Sequence, residues 1–402
     1  MSALTFDQAR NVVAAQLAEP SRPRVAETIP LEQAAGRFLA EDVFADRDYP
    51  PFPRAARDGF AARSADIAEP PARLRVLGET RAGEPSVFTV GEGEAVEIMT
   101  GAPCPEGADC VVMVEYSSRD GDDVILEQSL PAGRNIVPQG SEAPKGSLVL
   151  AAGVRLDYPQ IALLAAVGRS RVQVWRKPRV AILSTGDEVV GVDQAPKDFQ
   201  IRNSNAWSLA AQVERRGGQA VMLPVAPDRL AETRDLIRLG LESDMLLLSG
   251  GVSMGKHDLV EQALAELGVE IHITQVLIQP GKPLVFGMAG GRPVFGLPGN
   301  PISTMVTFEI FARLALERLA GAPVSPLPFV EARLSRDFRH KPVLTRFLPA
   351  RLVGDYGEAR VEPIQWQGSG DLASIAKSNC FLVASADRES WQAGDRIGVL
   401  PH

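Results

Sequence analysis

The sequence holds few cysteines, few histidines and no surplus of positive charge, and each shortage removes a class of function. Only three cysteines occur, Cys104, Cys110 and Cys380. Their odd number and the absence of metal-ligand spacing exclude a disulfide framework and a structural zinc site, and such thiols read as small packing residues. The four histidines, His257, His272, His340 and His402, include no i,i+4 pair of the kind that holds zinc, and only His257 lies beside a glycine-rich motif. Lys and Arg total 42 against 50 Asp and Glu, a formal charge of −8, which argues against a nucleic-acid partner because phosphate-backbone affinity needs clustered cations. No apolar run approaches a membrane span, so no membrane partner is expected. The first thirty residues carry Asp7, Glu19 and Glu27 among apolar ones, without the basic start and unbroken apolar stretch of a secretory signal, so a cytoplasmic location is expected.

What is present describes an ordinary globular chain of several domains. Hydrophobic residues make up 45% and charged residues 23%, close to the soluble average, and 402 residues divide into two to four domains at roughly 150 residues each. Thr5 is placed to cap a helix whose apolar positions Phe6, Ala9, Val12, Val13 and Leu17 recur at helical spacing, with Pro20 as its stop. From Leu74 to Leu156 short β-rich runs such as Val111 to Val114 and Val124 to Leu126 alternate with Gly and Pro, predicting a small, mainly antiparallel domain. Tyr158 to Val167 reads as helix, Val172 to Trp175 as strand, and a boundary falls near residue 178.

Between residues 179 and 322 strands and helices alternate: Val180 to Leu183, Ser204 to Arg215, Val221 to Val225, Leu230 to Leu241, Met245 to Leu248, Leu259 to Leu267, β-like segments to Leu297, then a long helix Ile302 to Leu319. Such alternation predicts an α/β domain with a mostly parallel sheet. After the prolines of residues 323–328 the helices stop, and strands such as Phe329 to Leu334 and Ala359 to Ile364 predict a second β domain.

The strands of the α/β region end in Gly-rich or acidic turns, and ligands of open parallel sheets bind at those ends. Met245 to Leu248 runs into Ser249, Gly250, Gly251, Val252, Ser253, Met254 and Gly255, with a helix starting near Asp258. Glycines let backbone amides point inward towards a phosphate, although a tight strand-to-helix connection uses the same residue type. Val180 to Leu183 ends in Ser184, Thr185, Gly186, Asp187 and Glu188, and Asp228 follows the next strand. Carboxylates gathered at a phosphate repel it unless a hard cation lies between them, which points to Mg²⁺; the alternative is that Asp228 and Asp258 cap helices and Glu188 is solvated. Lys282, within Pro280-Gly281-Lys282-Pro283, offers a point charge to an oxyanion. Pro298, Gly299, Asn300 and Pro301 make a rigid turn before a helix that carries Ser303.

With those residues laid out, the chain resembles the molybdopterin molybdenumtransferase family, which includes the C-terminal domain of gephyrin, from about residue 5 to residue 400. The segments that carry the resemblance are Ser184 to Glu188, Ser249 to Gly255, Pro280 to Pro283 and Gly296 to Pro301, with Met99 to Pro103 and Gln367 to Ser369 in matching order in the flanking regions. The resemblance implies a helical linking domain (1–45 and 147–178), a β-rich domain (46–146), an α/β molybdopterin-binding domain (179–325) and a C-terminal β-barrel (326–402). It also implies an elongated homodimer whose cleft borrows residues from the partner. The implied reaction takes adenylated molybdopterin and molybdate, breaks the phosphoanhydride with Mg²⁺ and releases AMP. The other implied partners are the adenylyltransferase that supplies the pterin nucleotide and the molybdoenzymes that receive the product.

By the same resemblance Asp187, Glu188 and Asp258 serve the metal, and Asp187, Asp228, Asp258 and Lys282 the catalysis. Asp58, Thr100, Ser184, Thr185, Gly186, Gly250, Gly251, Val252, Ser253, Gly255, Pro298, Gly299, Asn300, Ser303 and Ser369 bind substrate, Asp58 and Thr100 reaching across the dimer. Several positions depart from the pattern. Ala55, Ala56 and Arg57 replace Ser-Ala-Met before Asp58; Asn203 replaces an Asp, Gln279 a Lys and Arg229 an acid. Leu344 to Pro349 lacks both arginines of the family's Arg-x-acid-aromatic-x-Arg run in register. Arg346, Arg351 and Arg57 are the cations left to compensate. A pterin-binding carrier or scaffold of the same fold is the alternative to an enzyme, and a stand-alone adenylyltransferase, which resembles only the α/β region, is the third reading.

Overall fold

A computed structural model describes residues 2–18, 23–251 and 259–402. The chain divides into two compact units, one of Met1–Ala40, Gly153–Asp157 and Arg171–His402, the other of Glu41–Ala152 and Tyr158–Ser170.

In the first unit, helix α1 (Phe6–Gln16) begins at Thr5, which exchanges a reciprocal capping pair with Gln8. The α/β core then runs through β1 (Arg179–Ser184), α2 (Ser204–Arg215), β2 (Gln219–Met222), α3 (Leu230–Gly240), β3 (Met245–Ser249), α4 (Leu259–Glu266), β4 (Glu270–Gln275), β5 (Ile278–Gln279), β6 (Pro283–Ala289) and β7 (Arg292–Leu297). Six of these strands form one sheet in the order β2-β1-β3-β7-β6-β4. The first four are parallel, and β6 runs antiparallel to both β7 and β4. Successive residues of each parallel strand project to opposite faces. Val180, Ile182, Met245, Leu247 and Phe295 enter one core with α1 and α2; Ala181, Leu183, Leu246, Leu248 and Val294 enter another with Ile237, Val260 and Leu264. Both faces are covered, hence the continuous apolar strands.

The last helix of the core starts at Pro301. It runs as α5 (Pro301–Thr307), a π turn over Phe308–Ala312 and α6 (Arg313–Ala320). On that turn Glu309 is buried and paired with Arg216 at 2.8 Å and Arg313 at 3.6 Å, and the Gln212 side chain donates to it and to the Met305 carbonyl, both at 3.2 Å. A buried carboxylate needs such pairing, and here the pairing locks α2 against the α5–α6 helix. Beyond it Val330–Leu334, β8 (Thr345–Gly354), Ala359–Pro363, Cys380–Ala384 and Arg396–Pro401 close into a barrel, with β5 pairing as an added strand on β8. A short helix α7 (Leu372–Ile375) interrupts this region, where the sequence reading expected strands alone. The strand expected at Val221 to Val225 instead spans Gln219–Met222, since Pro224 has no amide to extend the ladder.

The second unit is a six-stranded sheet ordered Cys110–Met113, Gly59–Ala62, Glu94–Ile98, Ala72–Thr80, Asp123–Leu126, Ser117–Asp120. All neighbours are antiparallel except Ala72–Thr80 with Glu94–Ile98. Cys110 lies in its core with Phe60, Leu74 and Val112. Burial pushes the thiols of Cys104, Cys110 and Cys380 up to about 11, about 12 and about 11, consistent with packing residues. Among the described residues no helix is long and apolar enough to cross a membrane.

Candidate functional site

The carboxyl ends of β1, β3 and β7 lie side by side, and the turns that leave them are tied to one another. The Thr185 amide donates to the Ser249 carbonyl at 3.1 Å, the Gly186 amide to Ala226 at 3.0 Å, and the Gly250 amide to Leu297 at 3.1 Å. Gly250 and Gly251 have φ of +95° and +65°. A Cβ at Gly250 would meet the Thr185 carbonyl at 3.0 Å, and one at Gly299 would lie 3.6 Å from the Gly250 Cα. The three loops therefore approach closely, and at Gly250 the positive φ and the tight contact together favour glycine. Val285 of β6 pairs with Gly296 of β7, so the start of β6, with Lys282 before it, reaches the same edge. Gly281 packs on the first turns of α5: a Cβ there would lie 2.5 Å from Thr307 Cγ2 and 3.8 Å from the Ser303 carbonyl. The Ile302 amide donates to the Ser369 carbonyl at 2.9 Å, bringing in the Gln367 to Ser369 loop.

One rim thus gathers Ser184, Thr185, Gly186, Asp187, Asp228, Gly250, Gly251, Pro298, Gly299 and Asn300, with Lys282, Ser303 and Ser369 on the neighbouring turns. Ser303 is buried and Lys282 exposed. Asp187 and Asp228 are joined through their amides: the Asp228 amide donates to the Asp187 carboxylate at 3.2 Å and the Asp187 amide to Asp228 at 3.5 Å. Asp228 is therefore not a helix cap; the capping position of α3 is Arg229, which makes no side-chain cap and pairs with Glu232 at 2.5 Å. Glu188 folds its carboxylate over Gly186, where a Cβ would meet it at 2.4 Å. Val252, Ser253, Gly255, His257 and Asp258 lie outside the described residues.

Among the described residues no three His, Cys, Asp or Glu side chains are gathered as a metal cage. The Asp187–Asp228 pair nevertheless suits Mg²⁺, which is commonly held by one or two carboxylates with substrate phosphates and water completing its shell. In the second unit, Asp58 accepts the Thr100 amide at 2.6 Å, and this backbone hydrogen bond holds its carboxyl below the ordinary aspartate value. A Cβ at Gly59 would lie 1.9 Å from the Val112 carbonyl, so the Asp58-Gly59 step cannot carry a larger residue.

One rim residue escaped the sequence reading. The Asn205 amide nitrogen donates to the Ser249 hydroxyl at 2.8 Å and to the Gly299 carbonyl at 2.7 Å, bridging two loops; its position in the first turn of a helix beside the rim is the signal that marks it. Asn203, read as a departure, caps α2 at Ala206 and accepts the Ser184 hydroxyl at 3.0 Å. Those contacts need an acceptor oxygen, which Asn supplies as well as Asp.

The fold and rim define a class: an open α/β sheet whose carboxyl edge carries glycine-rich turns, paired acids and a lysine, the edge at which ligands of such sheets bind. Within it, residues 4–168 match the family described as MoeA N-terminal region (domain I and II), residues 181–318 the probable molybdopterin binding domain, and residues 331–402 the MoeA C-terminal region (domain IV). The chain is 32% identical to molybdopterin molybdenumtransferase of Haemophilus influenzae, covering 99% of this chain and 98% of that one. It is 33% identical to the Bacillus subtilis protein of the same name, covering 93% and 89%. The solved molybdopterin biosynthesis moeA protein from Pyrococcus horikoshii OT3 superposes with TM-score 0.80 at 29% identity over 100% of both chains. The chain belongs to the molybdopterin molybdenumtransferase family, transferases of molybdenum-cofactor biosynthesis.

Proposed function

We propose that this chain inserts molybdenum from molybdate into adenylated molybdopterin, with Mg²⁺, and releases AMP. The observation that carries the reading is the convergence of the Ser184 to Asp187, Ser249 to Gly251, Lys282 and Pro298 to Asn300 turns on one sheet edge, in a chain of this family over its full length. The Lys282 ammonium, beside those glycine-rich turns, receives the charged oxygens of the phosphoanhydride and of molybdate. Hydrolysis of the phosphoanhydride consumes one water and yields AMP and molybdopterin. Two molybdate oxygens then give way to the two dithiolene sulfurs, each leaving as water with two protons. Mg²⁺, when bound, neutralises charge developing on the phosphoryl oxygens. Asp187 and Asp228 would hold it, with Glu188 on the same turn as Asp187.

The reading includes a cytoplasmic homodimer in which Asp58 and Thr100 serve the partner's cleft. In support, Met99, Val114 and Tyr116 expose apolar surface next to the Asp58–Thr100 turn, as an interface requires. The pterin nucleotide would come from the adenylyltransferase and the product pass to recipient molybdoenzymes. A carrier that binds the pterin without insertion is the second reading, favoured by Gln279 and Leu344 at positions where the family resemblance implies cations.

The deciding experiment incubates the full-length protein with adenylated molybdopterin, molybdate and Mg²⁺ and measures AMP and activation of a molybdenum-free apoenzyme. Both products are expected. Tight pterin binding without either would replace the enzyme by the carrier.

A further inference from the structure

Helix α2 presents three polar side chains along one edge. Asn205 lies in its first turn, Gln212 two turns on and Arg216 at its carboxyl end, spacings that return to the same face of a helix. All three meet the segment that starts at the rim and continues as α5. Asn205 donates to the Gly299 carbonyl at 2.7 Å and to the Ser249 hydroxyl at 2.8 Å. Gln212 donates to the Met305 carbonyl and to Glu309, both at 3.2 Å, and Arg216 pairs with Glu309 at 2.8 Å. At 1.5 Å per residue this polar seam is about 16 Å long, and its first contact is with a loop of the rim.

Its far end lies on the π turn. There the Arg313 amide donates to the Phe308 carbonyl, five residues back, and side chains of two other helices take carbonyls of the segment, Gln212 that of Met305 and Arg10 of α1 that of Ile310. Such turns within α-helices recur at functional sites. At the near end the Thr304 hydroxyl donates to the Pro298 carbonyl at 2.6 Å, so a shift of α5 carries the Pro298 to Asn300 turn with it.

Between these polar contacts, Leu209 and Val213 of α2 share a core with Ile302, Val306 and Ile310. Apolar burial holds two helices together, but it is non-directional and leaves their sliding weakly fixed. A buried ion pair adds little net stability over apolar residues of the same volume, and its best-attested use is to set register. Glu309, only 2% exposed, is placed for that use.

We infer that Gln212, Arg216 and Glu309 are positioning residues for the reaction: they fix the register of α5 on α2 and thereby set where the Pro298 to Asn300 turn stands against the Ser249 to Gly251 loop. They act through Asn205 and the turn, and make no contact with substrate. The inference rests on the proposed function for what the turn receives, the phosphate-bearing part of adenylated molybdopterin. It gives the buried charges a task in the reaction beyond holding the helices together.

The test replaces the seam by apolar residues of similar volume, Gln212→Leu, Arg216→Met and Glu309→Leu together, in the full-length protein. Thermal melting, steady-state AMP release and hydrogen exchange over residues 299–304 are measured. The triple variant is expected to melt at or above the wild-type temperature, while the KM for adenylated molybdopterin rises about tenfold with kcat within about twofold, and exchange over the turn quickens. Gln212→Met alone, which keeps the ion pair, should show the same pattern at smaller size, and it decides the matter in the same terms if the triple variant does not fold. Folded variants with wild-type KM and wild-type exchange overturn the assignment and leave the proposed function standing. Quickened exchange in a protein whose wild type releases no AMP overturns the proposed function and leaves the seam's hold on the turn in place.

Discussion

Asp187 and Asp228 hold each other through the backbone: the amide of each donates to the carboxylate of the other, at 3.5 Å and 3.2 Å. Two separate strand ends are thereby tied, and two acids stand together at the rim; the Arg229 guanidinium, paired with Glu232, acts on Asp187 from a distance without forming an ion pair with it. Like charges at that spacing call for a cation between them or a protein donor, and here each already has a backbone donor on one oxygen.

Replacing one of the pair should therefore separate catalysis from stability. Asp228→Ala is expected to lower Mg²⁺-dependent AMP release by about 100-fold, while the unfolding free energy falls by about 1 kcal/mol or less, because both side chains sit in exposed loops. Turnover titrated with Mg²⁺, alongside denaturant unfolding, measures both. Undiminished turnover would remove the metal assignment.

Asn205 predicts a different signature. Asn205→Ala removes two hydrogen bonds and leaves the Ser249 hydroxyl and Gly299 carbonyl without their link, a loss of about 1–3 kcal/mol. The Pro298 to Asn300 turn then loosens, so the KM for adenylated molybdopterin should rise about tenfold and amide exchange across that turn should quicken. Unchanged exchange would mean that Asn205 does not hold the loop.

Gly251 and Gly268 have nearly the same φ, +65° and +71°, but differ in what a side chain would meet. A Cβ at Gly251 would come within 2.6 Å of Val260 Cγ2, whereas nothing lies within 4 Å of one at Gly268. Gly268→Ala should cost about 1 kcal/mol, the backbone contribution alone, and Gly251→Ala roughly 1–3 kcal/mol more through overpacking, with weaker pterin binding. Equal melting temperatures for the two variants would contradict this.

Asp58 carries a pH prediction. Its carboxylate is favoured by the Thr100 amide, so its folded value lies below the ordinary 3.8. The contact is then fully present above that ordinary value and is lost as the pH falls below it through the lower folded value. The Thr100 amide resonance should titrate with a midpoint below 3.8, and Asp58→Asn should abolish the transition. A midpoint above the ordinary value would show that the hydrogen bond does not form in solution.

Local chemistry accounts for much of what the sequence reveals. The Thr5 cap, the doubly apolar strands and the alternation from Arg179 to Ala320 follow from short-range patterns, and Gly250 and Asp187 announce a ligand edge because they sit where strands end. The antiparallel arrangement of β6 with β7 and β4, the π turn at Phe308 and the short helix at Leu372 carry no comparable local signal. Strand order, and the buried pairing of Glu309 with Arg216, are set by contacts between residues far apart in the chain.

The sequence by itself determined the class of fold, the family and the turns that can face a ligand, because each rests on residue types within a few positions of one another. Only the tertiary structure decided that Asn205 spans two loops, that Asp187 and Asp228 are partners and that Gln212 and Arg216 meet Glu309. Those relations depend on strand pairing and helix docking, which place residues at contact distance regardless of their separation along the chain.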